Sequence, residues 1–261
     1  MTRDLEDYCT RVGIKGPLVP DLATVDRLVA AHIAAIPFEN TGVHLDEPMT
    51  TSTEAAWEKI VHRRRGGWCY EMNAVFARVL EALGLPVTRH SCGVLRKIGS
   101  EEGMGGHLAL TTMCEGQRLL VDVGFGSKLV APLPLREGTR YDAPFTVGLS
   151  RTSDGYWRFQ EVGSDAKPIW FDFLDLPADE NQLSERCSWQ ACNPESVFRR
   201  KLTAQIRRGD THFALRNSEL TISAVGGVEV RKLDSEDDCR ALLSDTFGLP
   251  AELVNRLQMP A

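Results

Sequence analysis

Covalent catalysis by a thiol needs a cysteine that can ionise, a base to take its proton and a third group to orient that base. Cys69 is the candidate thiol, in the run Arg65-Gly66-Gly67-Trp68-Cys69-Tyr70-Glu71-Met72-Asn73. Downstream, Met72, Phe76, Val79, Leu80 and Leu83 recur at helical spacing, Gly84 supplies a stop and Pro86 prevents continuation. The spacing predicts a helix over 69–83 with Cys69 at its start. Unpaired backbone N–H groups and the helix dipole favour an anion there, and a thiolate is one. Gly66 and Gly67 would let the backbone approach closely. A free cysteine is otherwise a small buried hydrophobe, so the case for chemistry rests on partners elsewhere in the chain.

His107 and Asp122 are the candidate partners. Residues 107–113 and 118–123 flank Glu115-Gly116, a hairpin signature. A two-residue loop sets Ala109 opposite Asp122 and His107 opposite Gly124. His107 and Asp122 then share a face as diagonal neighbours, ~7–8 Å apart at the backbone, within reach of an imidazole and a carboxylate. An aspartate inside Leu119-Leu120-Val121-Asp122-Val123 also needs a partner if it is buried. The plainer reading makes Asp122 a turn cap and His107 a surface residue. The histidines at 32, 44, 62, 90 and 212 lack a carboxylate so placed and read as ordinary surface or core residues.

Positioning these side chains takes two kinds of structure. Residues 3–83 read as mostly helical. Leu22, Val25, Leu28, Val29 and Ile33 form an amphipathic helix capped by Asp21 or Thr24 and ended at Ile36-Pro37. Phe38-Glu39-Asn40 follows as an irregular link, and a second helix runs from Ser52 or Thr53 to about His62. One of the arginines 63–65, paired with Glu39, would tie that link to the cysteine loop. From Pro86 the period becomes that of strands, and short apolar runs broken by Pro and Gly over 130–175 suit a small barrel or sandwich. Residues 182–261 are mixed, with strands expected over 198–206, 213–215 and 220–222 and short helices over 237–246 and 251–257. The expected division is 1–85 helical, 86–185 built of strands and 186–261 mixed α/β.

Composition narrows the partners. A net charge of −6 argues against nucleic acid, and no apolar run is long enough to span a membrane. Seven scattered cysteines without a Cys-x-x-Cys pair suggest neither a disulfide framework nor a metal site, and point to a reducing cytoplasm. No apolar stretch of signal-peptide length opens the chain.

The run from Arg65 to Asn73 resembles the active-site signature of the arylamine N-acetyltransferases. Ile36-Pro37-Phe38-Glu39-Asn40, His107-Leu108-Ala109-Leu110 and Val121-Asp122-Val123-Gly124-Phe125-Gly126 resemble three further motifs of that family, in the same order. The resemblance spans the chain. It implies an α+β, cysteine-protease-like fold: an N-terminal helical bundle, a central β-barrel and a C-terminal α/β lid. It also implies a Cys69–His107–Asp122 triad, acetyl-coenzyme A as acyl donor without a metal, and an arylamine or hydrazine as acceptor. Phe38, Phe125 and Phe198 carry over as walls of the acceptor pocket. The chain departs from the family at Asn193-Pro194-Glu195-Ser196-Val197-Phe198, where a Ser-Pro-Phe-like run is more usual. Gly106, Gly126, Arg200 and Lys201 are the expected coenzyme A contacts, with Arg199, Arg207 and Arg208 as neighbouring cations for its phosphates. Two alternatives share such a triad: a macrolactam-forming amide synthase fed by a carrier protein, and an amidase or peptidase that accepts water.

Overall fold

A computed structural model describes residues 2–163 and 167–259. Helix α1 (Arg3–Val12) starts at Thr2, whose side chain accepts the Leu5 N–H, and stops at Gly13 in the left-handed conformation. Helix α2 (Leu22–Ala35) is capped by Asp21, which accepts the Thr24 N–H at 2.7 Å. It buries Val25, Leu28, Val29, His32 and Ile33 and ends before Pro37, as its pattern predicts. The expected irregular link is instead a strand, β1 (Phe38–Glu39), followed by a helical turn, α3 (Thr41–His44). Helix α4 (Thr53–Trp57) runs into a π-helical turn over Glu58–His62, and α5 (Cys69–Ala82) follows. Helix α5 starts at Cys69 and is capped at its end by Leu83, with Gly84 left-handed beyond it.

The strands β2 (Val87–Val94), β3 (His107–Cys114), β4 (Gln117–Val121), β5 (Leu133–Pro134), β6 (Gly138–Asp142), β7 (Phe145–Arg151), β8 (Trp157–Val162) and β9 (Pro168–Phe173) form one antiparallel sheet. Its order is β5-β4-β3-β2-β9-β8-β7-β6. Residues from opposite ends of that order, such as Leu133 and Val147, meet in one core with Ala109, Phe159, Phe171 and Phe173. The sheet is therefore rolled. Among the described residues no ladder joins β5 to β6, so the barrel stays open along that seam.

Helix α6 (Glu180–Cys192) lies across the expected boundary at 185/186, and its Leu183, Cys187 and Ala191 join the helical core around α5. Strands β10 (Thr203–Arg208), β11 (Thr211–Arg216), β12 (Glu219–Ala224) and β13 (Gly227–Lys232) complete a second antiparallel sheet, in which β1 pairs with β10. Helices α8 (Glu236–Asp245) and α9 (Ala251–Val254) cover it through Leu243, Leu253 and Val254, with Phe247 from the link between them. The strand expected over 198–206 begins only at Thr203. Val197–Arg200 is instead a helical turn, α7, because the Ser196 hydroxyl accepts the Phe198 N–H at 3.2 Å. The Asn40 amide then holds the Phe198 and Lys201 carbonyls at 2.8 Å each, and its oxygen accepts the Thr203 N–H at 2.7 Å.

Candidate active site

Two tight approaches set the nucleophile loop. A side chain on Gly66 would put a Cβ 2.4 Å from the Pro37 carbonyl oxygen, and one on Gly67 would sit 3.0 Å from the Glu71 carboxylate. The absent side chain of Gly66 lets β1 lie beside the loop: Glu39 donates its N–H to the Gly67 carbonyl at 2.9 Å, and Gly67 donates to Pro37 at 3.2 Å. Arg65 does not pair with Glu39. It bonds Glu47 at 2.5 Å and the Thr41 hydroxyl at 3.2 Å, and that hydroxyl in turn donates to Glu39 at 2.5 Å. At the start of α5, Glu71 accepts the Trp68 N–H at 3.2 Å and is itself held by the Lys59 ammonium at 2.8 Å. The buried Cys69 is the first helical residue, beside the amides of that first turn.

The hairpin has the expected register. Leu110 pairs with Val121 and Cys114 with Gln117, which puts Ala109 across from Asp122. Both loop residues have positive φ, 48° at Glu115 and 75° at Gly116, as a type I′ turn requires. His107 Nε2 and Asp122 Oδ2 lie 2.6 Å apart, both side chains buried. Burial alone would pull the imidazole pKa down. The Asp122 charge and hydrogen bond, and then Cys69, outweigh it and hold His107 up at about 10. The ring therefore carries its proton at neutral pH. Nε2 is committed to Asp122, which leaves Nδ1 for the thiol.

The other Asp122 oxygen, Oδ1, accepts the Gly124 N–H at 2.7 Å and the Asn73 amide at 2.9 Å. Asn73 also donates to the Leu108 carbonyl at 2.6 Å and accepts the Val123 N–H at 3.0 Å. The chain after Asp122 lies directly on α5, since a Cβ on Gly124 would fall 2.7 Å from the Cys69 Cα.

Aromatic rings flank the pair. His107 contacts Phe125 (ring centres 5.0 Å apart) and Phe171 (4.7 Å), and Phe125 packs edge-on against both Phe171 and Phe159. On the Cys69 side, Phe198 packs against Phe38 at 6.3 Å and edge-on to Trp68 at 5.5 Å. The three expected pocket residues thus fall in two groups, Phe125 over the histidine and Phe38 with Phe198 beside Trp68, the N-cap of α5.

Comparison with known proteins adds to this geometry. The profile of the family described as N-acetyltransferase matches residues 21–256. The arylamine N-acetyltransferase of Mycolicibacterium smegmatis is 34% identical over 95% of this chain and 93% of its own length. This chain belongs to the arylamine N-acetyltransferase family. Among solved structures of arylamine N-acetyltransferases, that of Mycobacterium marinum in complex with CoA superposes with a TM-score of 0.87, at 30% identity over 97% of both chains. That of Salmonella typhimurium gives 0.86, at 27% identity over 95% of this chain and 92% of its own. The rolled sheet, the helical bundle and the second sheet are those of arylamine N-acetyltransferases, and the chain is an acyltransferase.

Within this arylamine N-acetyltransferase fold the expected donor contacts divide. Gly106 donates its N–H to Gly103 and gives its carbonyl to the Gln190 amide, each at 3.0 Å. The Gly126 carbonyl accepts from His212 Nε2 at 2.7 Å, and Gln205 fills the space a side chain on Gly126 would need. Arg207 is buried, donating to the carbonyls of Gly209, Lys128, Asp142 and Ala143. Arg199 bonds Asp46 and the Val43 carbonyl, and Arg208 bonds the Thr246 carbonyl. Arg200 and Lys201 are exposed.

Sequence reasoning assigned no role to Asn73, Tyr70 or His212. The Tyr70 hydroxyl donates to the Gly105 carbonyl at 2.7 Å, holding the loop into His107. The one signal for Asn73 is its spacing, one helical turn after Cys69. Among the described residues no group of three or more His, Cys, Asp or Glu could hold a metal, and no helix is long and apolar enough to cross a membrane.

Proposed function

We propose that this chain moves an acetyl group from acetyl-coenzyme A to the nitrogen of an arylamine or hydrazine by double displacement through a thioester on Cys69. The observation that carries this reading is the buried His107–Asp122 pair, 2.6 Å apart, set against the helix start that presents the thiol. The relative solved in complex with CoA supports a coenzyme A thioester as donor.

In the first half-reaction the Cys69 thiolate, beside protonated His107, attacks the thioester carbonyl carbon. The tetrahedral oxyanion draws on backbone N–H groups at the start of α5, the Cys69 amide among them. Collapse expels the coenzyme A thiolate, which takes the His107 proton. In the second half the amine attacks the Cys69 thioester and neutral His107 accepts its proton. The carbon–sulfur bond then breaks and Cys69 returns as thiolate. Exchange of one thioester for another is nearly balanced, whereas the product amide is far more stable, so the second half draws the sequence forward. Asp122 fixes the imidazole tautomer and stabilises its charge.

Aromatic acceptors suit the rings present, since stacked aromatic pairs add about 0.5–1.5 kcal/mol beyond area burial. Their nitrogen is also neutral at pH 7, whereas an alkylamine is mostly protonated. Arg200 and Lys201 remain the candidates for the donor phosphates. The test is rapid-quench intact mass after mixing with acetyl-coenzyme A in the absence of amine. One acetyl group should appear, map to Cys69, vanish in Cys69→Ala and discharge faster to an arylamine than to water. Acetylation of Cys69→Ala at another cysteine would move the site, and discharge to water alone would make the protein a hydrolase.

A further inference from the structure

Asn73 is fully buried one turn beyond Cys69, so the two residues occupy one face of α5. Its carboxamide reaches three positions outside that helix. The nitrogen donates to the Leu108 carbonyl, next to the base, at 2.6 Å and to Asp122 Oδ1 at 2.9 Å, while the oxygen accepts the Val123 N–H at 3.0 Å. These partners fix the orientation of the amide, because its oxygen must face the one donor and its nitrogen the two acceptors. Asp122 Oδ1 is then held by Asn73 and the Gly124 N–H together, which turns Oδ2 towards His107 at 2.6 Å.

We infer that Asn73 is a positioning residue for the reaction: it joins the nucleophile's helix to the carboxylate that orients the base, and so sets the imidazole relative to the thiol. This rests on the function proposed above. No other common side chain repeats the arrangement. Glutamine is one methylene too long for the gap, serine too short, and an ionised carboxylate would face Asp122 with like charge and no proton to donate. A protonated carboxyl can stand in for two of the three bonds, with its carbonyl accepting from Val123 and its hydroxyl donating to Asp122, while the Leu108 carbonyl loses its donor.

That last property separates positioning from bulk support. Cys69 alkylation by iodoacetamide, followed against pH, reads the thiol–imidazole pair without any acetyl donor. Rapid-quench acetylation reads the first half-reaction. For Asn73→Ala the acetylation rate should fall about 10²-fold, the loss typical of a misplaced reacting group, with KM for acetyl-coenzyme A changed less than about twofold. For Asn73→Asp both rates, taken relative to wild type, should rise as pH falls and the introduced carboxyl takes up a proton. A folded Asn73→Ala protein within twofold of wild type in both rates overturns the inference, as does an Asn73→Asp profile parallel to that of wild type. If Asn73→Ala does not fold, the Asn73→Asp profile decides. If wild type is alkylated at Cys69 but never acetylated, the proposed donor fails while the alkylation profiles still test Asn73.

Discussion

Burial and a carboxylate pull the His107 imidazole in opposite directions, and the carboxylate prevails because it is buried beside the ring and touches it. The folded pKa of about 10 stands above the unfolded value of about 6.5. Between these values the native state holds a proton that the unfolded chain has lost. The contribution to stability is therefore complete below pH ~6.5 and disappears as pH rises through the folded value. Denaturant unfolding at steps from about pH 6 to 10 should show wild type losing stability more steeply than His107→Gln. Equal slopes would mean that the imidazole is neutral in the native protein. At this scale the sequence is informative about the three residues proposed for the chemistry. A hairpin turn and a parity argument are enough to bring residues 107 and 122 together, and a glycine pair ahead of an apolar helix marks Cys69. Asn73 is illegible for a physical reason. Its partners at 108, 122 and 123 reach it only when the rolled sheet docks on α5.

The elements meet at closest range where the hairpin crosses α5, the helix that starts at Cys69. Gly124 has no room for a side chain, since a Cβ would sit 2.7 Å from the Cys69 Cα and 2.8 Å from the Asn73 nitrogen. Gly124→Ala should force the hairpin off α5, costing about 1–3 kcal/mol by overpacking and slowing acetylation of Cys69 at least tenfold. Gly116→Ala is the matched control. It lies in the same hairpin at φ 75° with nothing within 4 Å, so it should cost about 1–2 kcal/mol of backbone strain and leave the acetylation rate within twofold. Thermal unfolding and rapid-quench acetylation of both variants separate the two effects. If both lose activity alike, hairpin strain rather than the contact with Cys69 governs the site. Strand β1 shows what local pattern misses. Phe38-Glu39 looks irregular because its partners are Gly67 on one side and Ala204 and Gln205 on the other, the latter pair more than 160 residues away in the chain. The turn over Val197–Arg200 is missed for a related reason. Apolar and basic residues there suit a strand, but a serine cap and the Asn40 clamp decide the backbone.

Across the whole molecule, the second sheet grips the rolled sheet at the segment that carries Phe125. His212 donates to the Gly126 carbonyl and packs edge-on to Phe145, while Arg207 bonds the carbonyls of Lys128 and Asp142. His212 reads as an ordinary histidine in the sequence, yet it is fully buried at this seam. Burial first, and then Lys128 and Arg207, push its pKa down to about 3 against the support of the Gly126 bond. The native protein therefore keeps His212 neutral, while an unfolded or undocked chain takes up a proton below about pH 6.5. The sign is opposite to that of His107: this contribution is present above the unfolded pKa and is lost as pH falls, by up to about 1.4 kcal/mol for each pH unit until the folded value is reached. His32 does the same inside the helical core, held at about 3 by burial and then Arg11, with its Nδ1 taken by the Tyr8 hydroxyl. Acidification should therefore loosen the molecule at both places, but only the His212 seam bears on Phe125, the proposed wall of the acceptor pocket. His212→Gln removes the titration and keeps an amide donor for the Gly126 carbonyl. Between pH 7 and 5 it should lose less stability than wild type, and limited proteolysis within residues 203–259 should rise less. Arylamine KM should also change less with pH in the variant, because the loop bearing Phe125 keeps its anchor. Identical acid profiles in both proteins would assign the acid sensitivity to the helical core and His32, which a matching His32→Gln series would then reveal.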